Sequence, residues 1–493
     1  MLEMTKIARR SLLSSLPGSL LFSCRAFGST LGHTFPVERF GARGDGSTND
    51  TLAIQKAIDA CTRAGGGIVQ LSPGGRYLSS TLVLKDSVTF DIAEGATLLA
   101  STDRQSYRDK GCLLFAEHAK DIAITGRGTI EGRGSGAPWF PTLVEGAYAV
   151  PSPFLGYWNP LETFPGTYAE NGRPRMIVLV ACQRVRLADF RIHDSPTWTI
   201  HPIACENLLI DGITIENNLL LPNCDGIDID RCRSVRVANC AIRAGDDCIA
   251  IKTSRNFSMF SDCEDVTITN CTFESSSAGI KIEPEGKGTI RNIVVTGCTI
   301  SRSNRGIAVL QRDGATIEDL LFANLAITTR RRHAMWWGAA EAVHISNLPR
   351  RASMAPGTLK GIRVQNLVCR GEGGLFVRGW PGSQTSDISF TGIDLTIEKT
   401  TDYPADSYDI RPTELVDGLY KSKTAAIFAQ DVSDLTFRDV AVHWDGTIPA
   451  SFGAALHAEH IQGLTIDHVS GQGAHPGDQA IQLQNTSPNT DLR

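Results

Sequence analysis

One short pattern recurs along the chain: apolar, any, apolar, any, a single Asn, Asp or Gly, then apolar, any, apolar. It reads VRLADFRI from Val185, LLIDGITI from Leu208, VRVANCAI from Val235, VTITNCTF from Val266 and IVVTGCTI from Ile293. LLFANLAI from Leu320, IRVQNLVC from Ile362, ISFTGIDL from Ile388, LTFRDVAV from Leu435 and LTIDHVSG from Leu464 keep the same phase. Period-two alternation predicts strands, and the polar or glycine slot predicts a turn between two of them. Most copies follow one another at about 23 to 31 residues, the spacing of a repeat architecture. A single unit cannot bury its own apolar side chains, so neighbours must stack strand on strand, about 4.8 Å apart, around a shared core. The pattern therefore predicts an all-β fold, a single-stranded parallel β-helix. Cys240, Cys271 and Cys298 fall in one slot of consecutive copies and would form an interior ladder of small apolar side chains. Helical spacing is confined to NDTLAIQKAIDACTRAGGG from Asn49, where Asn49 or Asp50 can cap and glycines stop the helix. That short helix would close the amino-terminal end of the solenoid.

Composition supports this reading and narrows the function. The chain has 493 residues with 47 Gly and 22 Pro, as expected of a turn-rich solenoid. Its formal net charge of -5 offers no basic face, which disfavours nucleic acid as a partner. Thirteen cysteines contain no C-x-x-C spacing, so a zinc site is not expected. The start of the chain reads as an export signal over residues 1–28. Lys6, Arg9 and Arg10 precede an apolar stretch from Leu12 to Phe22 that Pro17 interrupts and that is too short to span a bilayer. RRSLL resembles a twin-arginine signal, Ala26-Phe27-Gly28 offers a cleavage site, and Cys24 offers an alternative lipoprotein anchor. Residues 33–493 would then form one β-helix domain, exported to the periplasm or beyond, monomeric and without a cofactor.

The candidate chemistry lies in NCDGIDID from Asn223 and GDDCIAIK from Gly245, one coil apart. Aligning Gly226 with Cys248 sets Asp225 beside Asp247, and Asp246 sits one residue earlier at the strand entry, where a bend could turn it the same way. Three carboxylates would then crowd one external face. Such a cluster suits glycoside hydrolysis, in which one carboxylic acid protonates the leaving oxygen and another carboxylate activates water. An inverting pair needs roughly 6.5 to 9.5 Å between the two groups, a diagonal across two rungs. A calcium site or a solvated acidic ladder is the alternative for the same residues.

Counting outward positions from the aligned glycines gives two further columns. The first holds Thr199, Asp228, Ala250, Lys281, Ala308 and Phe376, and the second His201, Asp230, Lys252, Glu283, Leu310 and Arg378. The candidate sugar contacts are His201, Asp228, Lys252, Lys281, Glu283 and Arg305. Aromatic residues in the long insertions, Trp139 with Phe140, Tyr157 with Trp158 and Trp336 with Trp337, could stack on sugar rings. Local packing is the alternative for Trp336 and Trp337, and solvation is the alternative for the basic run Arg330 to Arg332.

FPVERFGARGDGSTNDTLAIQKAIDAC, GRGTIEGRG, NGRPRMIVLVAC, DSPTWTIHP, NCDGIDI and GDDCIAIK, in this order, resemble glycoside hydrolase family 28, the polygalacturonase-like enzymes. The resemblance covers residues 35 to about 300. It implies a right-handed parallel β-helix and inverting hydrolysis of a pectic or related plant-type polysaccharide without a metal. Carried over motif by motif, Asp246 would be the general acid, while Asp225 and Asp247 would hold the water. Two departures stand out. Where the family has Gly-His-Gly this chain reads SSSAGIKIEP, with Ser277 near the histidine's place and no evident substitute. Where the family has an Arg-Ile-Lys that grips a galacturonate carboxylate, this chain has Ala308 and Leu310. With Glu283 counted as added repulsion, plain polygalacturonate is expected to be a poor substrate and a neutral or branched glycan a better one. A polysaccharide lyase and a non-catalytic glycan-binding β-helix remain as alternatives.

Overall fold

In a computed structural model the polar slot of the repeat proves to be a backbone requirement. Asp189, Asn239, Asn270, Asn324, Asn366 and Asp439 fill it with φ between 52° and 71°. This left-handed conformation costs most side chains roughly 1–2 kcal/mol but is tolerated by Asn and Asp, and Gly212, Gly297 and Gly392 adopt it freely. The slot side chains also bond from coil to coil. Asn239 Nδ2 donates to Asp211 Oδ1 at 2.7 Å and Asn270 Nδ2 to Asn239 Oδ1 at 2.6 Å. The structure describes residues 33–135, 139, 173–254, 262–332, 336–411, 413–416, 418–486 and 488–490. The expected export signal with Cys24, and Phe140, Tyr157 and Trp158, lie outside them.

Strands stack in parallel and in register. Val185, Leu208, Val235, Val266, Ile293, Leu320, Ile362, Ile388 and Leu435 form one continuous column. All are at most 2% exposed, so the apolar phase of the repeat is the core of the solenoid. Described strands form a 24-stranded sheet and a 13-stranded sheet, with one small antiparallel pair, Ser407–Asp409 with Leu419–Lys421. The result is the expected all-β parallel β-helix. Cys240, Cys271 and Cys298 are buried, and all twelve described cysteines are free. No helix among the described residues is long and apolar enough to cross a membrane.

The helix α1 spans Thr51–Arg63 and buries Ile54, Ala57, Ile58 and Cys61 against the first strands. Its first turn is held by Asn49, whose Oδ1 accepts from Thr51 N at 3.0 Å. The Asp50 carboxylate turns away and accepts from Arg43 N and Gly44 N at 2.7 and 2.9 Å.

The 13-stranded sheet carries the site. Its relevant strands, in chain order, are β1 (Ile200–Ile203), β2 (Ile227–Asp230), β3 (Ile249–Lys252), β4 (Ala278–Ile282), β5 (Arg305–Gln311), β6 (Val343–Asn347) and β7 (Leu375–Arg378). Two corrections to the expected columns follow. Ile200 lies beside Ile227 and Ile203 beside Asp230, which puts His201 in the column of Asp228 and Thr199 level with Gly226. That coil has no glycine to mark its phase, so counting from the sequence slips by two. β6 is a coil that the count omitted, because Ala342 replaces the marker glycine. It inserts His344 and Ser346 between Ala308 and Leu310 on one side and Phe376 and Arg378 on the other.

Candidate active site

The three aspartates converge because two coils share a register. Ile227 pairs with Ile249, and Gly226 N donates to Asp247 O at 2.9 Å, which makes Asp225 and Asp247 neighbours on adjacent rungs. At the entry to β3 the chain turns Asp246 to the same side, where Asn223 N donates to its Oδ2 at 3.1 Å. One carboxyl oxygen from each of the three lies within 4.8 Å of the others. This is tighter than the expected diagonal of roughly 6.5 to 9.5 Å, because the acid sits beside the pair and not two rungs away. The face is also not the solvated exterior that alternation suggested. Asp225 and Asp247 are 2% and 1% exposed and Asp228 and Asp230 fully buried, leaving Asp246 the most open of the group.

Burial and crowding set the protonation of this group. Burial, followed by the charge of Asp247, pushes the Asp246 carboxyl up to about 6, with Lys281 acting against the rise. Burial, then Asp228 and Asp246, raises Asp225 well above the usual carboxylate range, and its Oδ1 has no hydrogen-bond partner. Burial lifts Asp228 to about 7 although Lys252 opposes it at 3.2 Å. Asp247 is surrounded by donors. Its Oδ1 accepts from Ser277 Oγ at 2.8 Å and Ala278 N at 3.3 Å, and its Oδ2 lies 2.9 Å from Lys281 Nζ. One carboxyl that keeps its proton thus sits next to one held by a cation and a hydroxyl, which is the division of labour that acid–base catalysis requires.

The predicted sugar contacts split between two sides. Toward the amino terminus, Lys252 Nζ reaches Asp228 at 3.2 Å and Glu285 at 3.4 Å and lies 3.9 Å above the Trp198 ring. Trp198 meets His201 edge-on at 4.8 Å, and His201 Nε2 lies 3.4 Å from Asp230 Oδ2. Burial brings the fully enclosed His201 down to about 4. Toward the carboxy terminus, Lys281 lies between Asp247 and Glu283, at 2.9 and 3.2 Å. Glu283 also meets Arg411 at 2.5 Å, Arg350 at 3.1 Å and Arg312 at 3.8 Å. Burial alone would raise its pKa, but Arg411, Lys281, Arg350 and Arg312 together hold it well below the usual range. Arg305, level with Ala278 and two rungs beyond Asp247, binds Glu341 at 3.0 Å and donates to Asp409 O at 2.5 Å.

Ser277, Arg312, Arg350 and Arg411 were not singled out as site residues by the repeat pattern. Ser277 was marked only as the place of a missing histidine, and Arg312, Arg350 and Arg411 lie after a strand or in loops, where period two gives no phase. Arg332 of the basic run bonds Glu274 at 2.8 Å on the other sheet. Trp336 is buried, Trp337 lies 5.2 Å under Arg411, and Trp139 packs by Tyr107. The carboxyl oxygens of Asp225, Asp246 and Asp247 are also placed to hold a metal ion.

Fold and site together define a parallel β-helix that presents a carboxylate triad on its shorter sheet. Residues 69–330 match the profile of glycosyl hydrolases family 28, and residues 34–102 match that of rhamnogalacturonase A/epimerase, pectate lyase-like proteins. The first match takes in more than half the chain and both aspartate motifs, and the chain belongs to glycosyl hydrolase family 28. A probable polygalacturonase of Vitis vinifera is 31% identical over 251 residues, which is 47% of this chain and 45% of that protein. The match thus spans about half the length of this relative. Among solved structures, the family 28 exopolygalacturonase of Yersinia enterocolitica superposes with a TM-score of 0.62 at 19% identity, over 88% of this chain and 78% of that one. The hyperthermoactive exopolygalacturonase of Thermotoga maritima gives 0.54 at 19% identity, over 92% of each chain. At these identities the structures establish the shared fold.

Proposed function

We propose that this protein hydrolyses an α-glycosidic bond in a pectic or related plant-type glycan, with inversion at the anomeric carbon. The observation that carries the acid–base assignment is Asp246, partly open and raised to about 6, with a carboxyl oxygen within 4.8 Å of one from Asp225 and one from Asp247, while the inversion rests on family membership and not on this spacing. Asp246 gives its proton to the glycosidic oxygen as the bond to the anomeric carbon breaks. Water held between Asp225 and Asp247 attacks that carbon, and its proton passes to Asp247, the carboxylate faced by Lys281. Family membership supports the reaction class, and the basic leader with its short apolar stretch supports export. The test is release of reducing ends from a panel of pectic and other plant polysaccharides. Asp246→Asn should lower the rate about a hundredfold or more, as expected for a lost general acid. A variant that keeps more than a tenth of the rate would refute the assignment. Proton NMR should show the inverted anomer first, whereas unsaturated ends formed only with calcium would replace this reading with a lyase.

A further inference from the structure

Three rungs beyond Asp247, about 14 Å along the sheet, the coil of β6 joins a hydroxyl, an imidazole and a carboxylate. His344 and Ser346 are two residues apart on the strand and so share a face. His344 Nε2 lies 3.2 Å from Ser346 Oγ, and Nδ1 lies 3.0 Å from Glu341 Oε1, just before the strand. Glu341 Oε2 accepts from Arg305 Nε at 3.0 Å and Ala339 N at 2.8 Å. Burial alone would raise the Glu341 pKa, but Arg305 and His344 hold it well below the usual range, so it is a carboxylate. That assigns the ring protons: Nδ1–H donates to Glu341, and Nε2 accepts from the serine hydroxyl. Burial, then Arg305, lowers the pKa of His344, which leaves the ring neutral at pH 7. Phe376 stacks on it at 4.7 Å and fixes its plane. One rung on, Arg378 pairs in register with Ser346. Its Nε and Nη1 are enclosed and, among the described residues, have no hydrogen-bond partner. Buried donors without an acceptor are costly, so they mark a place for one. Arg378 lies over the Tyr420 ring at 5.0 Å, and both side chains are partly open, whereas Ser346 is 2% exposed.

We propose that Ser346 and His344 form a second active site on this sheet, one that hydrolyses carboxylic esters, with Glu341 positioning the histidine and Arg378 receiving the oxyanion. Nucleophile, neutral base and orienting carboxylate stand in the arrangement that acyl transfer requires. Ser346 Oγ attacks the ester carbonyl carbon as its proton passes to His344 Nε2, and the N–H groups of Arg378 receive the negative oxygen. When the carbonyl re-forms, the alcohol leaves with the proton from His344. Water then attacks the acyl-serine by the same proton path, which releases the carboxylic acid and restores the hydroxyl. The cycle consumes ester and water alone. The ester carbonyl enters beside Arg378 and Tyr420, and Leu310, paired with Ser346 on the other side, offers it an apolar wall. A glycan carries such bonds as acyl groups on its hydroxyls or as alkyl esters of its acids, and the chemistry is the same for both. The site is independent of the three aspartates.

The test starts with the full-length parent and a fluorophosphonate probe, whose adduct peptide mass mapping should place on Ser346. Hydrolysis of p-nitrophenyl acetate, corrected for the buffer rate, should fall about a hundredfold or more in Ser346→Ala and about tenfold or more in Arg378→Gln. Glu341→Gln should lower kcat for the ester with KM within about twofold, which a merely structural carboxylate would not do. On a pectin that carries both acetyl and methyl esters, release of acetate or of methanol tells which ester the site takes. The adduct is read on the parent and Arg378 is partly open, so a Ser346→Ala protein that fails to fold leaves two measurements that decide. The proposal is overturned if Ser346 stays unlabelled, if folded Ser346→Ala or Arg378→Gln hydrolyses the ester at the parent rate, or if pectin yields neither acetate nor methanol. None of these outcomes bears on glycosidic cleavage, which is scored by reducing ends.

Discussion

On the amino-terminal side of Asp247, Asp225, Asp228 and Asp246 crowd together, with Lys252 the cation within ion-pair distance of Asp228. On the carboxy-terminal side, four cations converge on Glu283. Asp225 and Glu283, the centres of the two groups, are 2% and 1% exposed and a few rungs apart on one face. Burial raises the carboxyl pKa in both places, and neighbours decide the outcome: more carboxylates reinforce it at Asp225 and Asp246, while cations override it at Glu283. One side can therefore store a proton and the other can hold fixed charge.

The contrast breaks most severely if its cationic half loses its centre. Glu283→Gln would leave Lys281, Arg312, Arg350 and Arg411 facing one another around a neutral amide. Removing one partner of a buried ion pair typically costs about 3–5 kcal/mol, and urea unfolding at pH 7 should show a loss of that size. The folded pKa of Glu283 is depressed, so its contribution is present above the unfolded value and is lost as pH falls through the folded one. The difference between parent and variant should accordingly shrink below about pH 4. Equal stability at pH 7 would mean that the cations are independently supported.

How much of this was legible in the sequence differs between the two sides for the same reason. Asp225, Asp246 and Asp247 sit on or next to strands, where a period of two and a stacked register place them from the sequence. Lys281 and Glu283 were placed on that face as well, but their partners were not. Arg350 and Arg411 come from loops whose course no repeat encodes, and so Glu283 read as a lone negative charge. The slip at His201 and the missed coil at His344 share a cause: the marker glycine is absent from both coils, and a wrong phase moves every side chain in a column. The helix was found because its apolar spacing is local. Of the two cap candidates, Asp50 occupies the cap position but turns its carboxylate to Arg43 N and Gly44 N, and Asn49 supplies the side-chain bond to the first turn.

The acidic half is tested next, by pH. Hydrolysis needs Asp246 protonated, and burial with the Asp247 charge holds it near 6. kcat/KM should fall as pH rises above about 6, tenfold for each further unit. Lys281 opposes the rise in Asp246, so Lys281→Gln should move this alkaline limb to higher pH while lowering the maximum. An alkaline limb that stays in place in the variant would show that the cationic side does not reach the acid electrostatically.

The smallest effect is expected where the two halves meet. Ser277 Oγ donates to Asp247 Oδ1 at 2.8 Å, opposite the Lys281 contact on Oδ2, so the base is held by one neutral and one charged group, both from the coil of β4. Ser277 N in turn donates to Ser275 Oγ at 2.8 Å, and Ser275 Oγ donates to Asp246 O at 2.5 Å, which ties the orientation of the serine to the backbone of the acid. Ser277→Ala removes a hydrogen bond to a charged group but leaves Lys281 and Ala278 N in place. A net loss of about 1.4 kcal/mol corresponds to about tenfold in kcat, with KM little changed because no sugar contact is removed. Ser277→Thr keeps the hydroxyl and should restore most of the rate. If Ser277→Ala matches the parent in kcat, Lys281 and Ala278 N fix Asp247 without the hydroxyl.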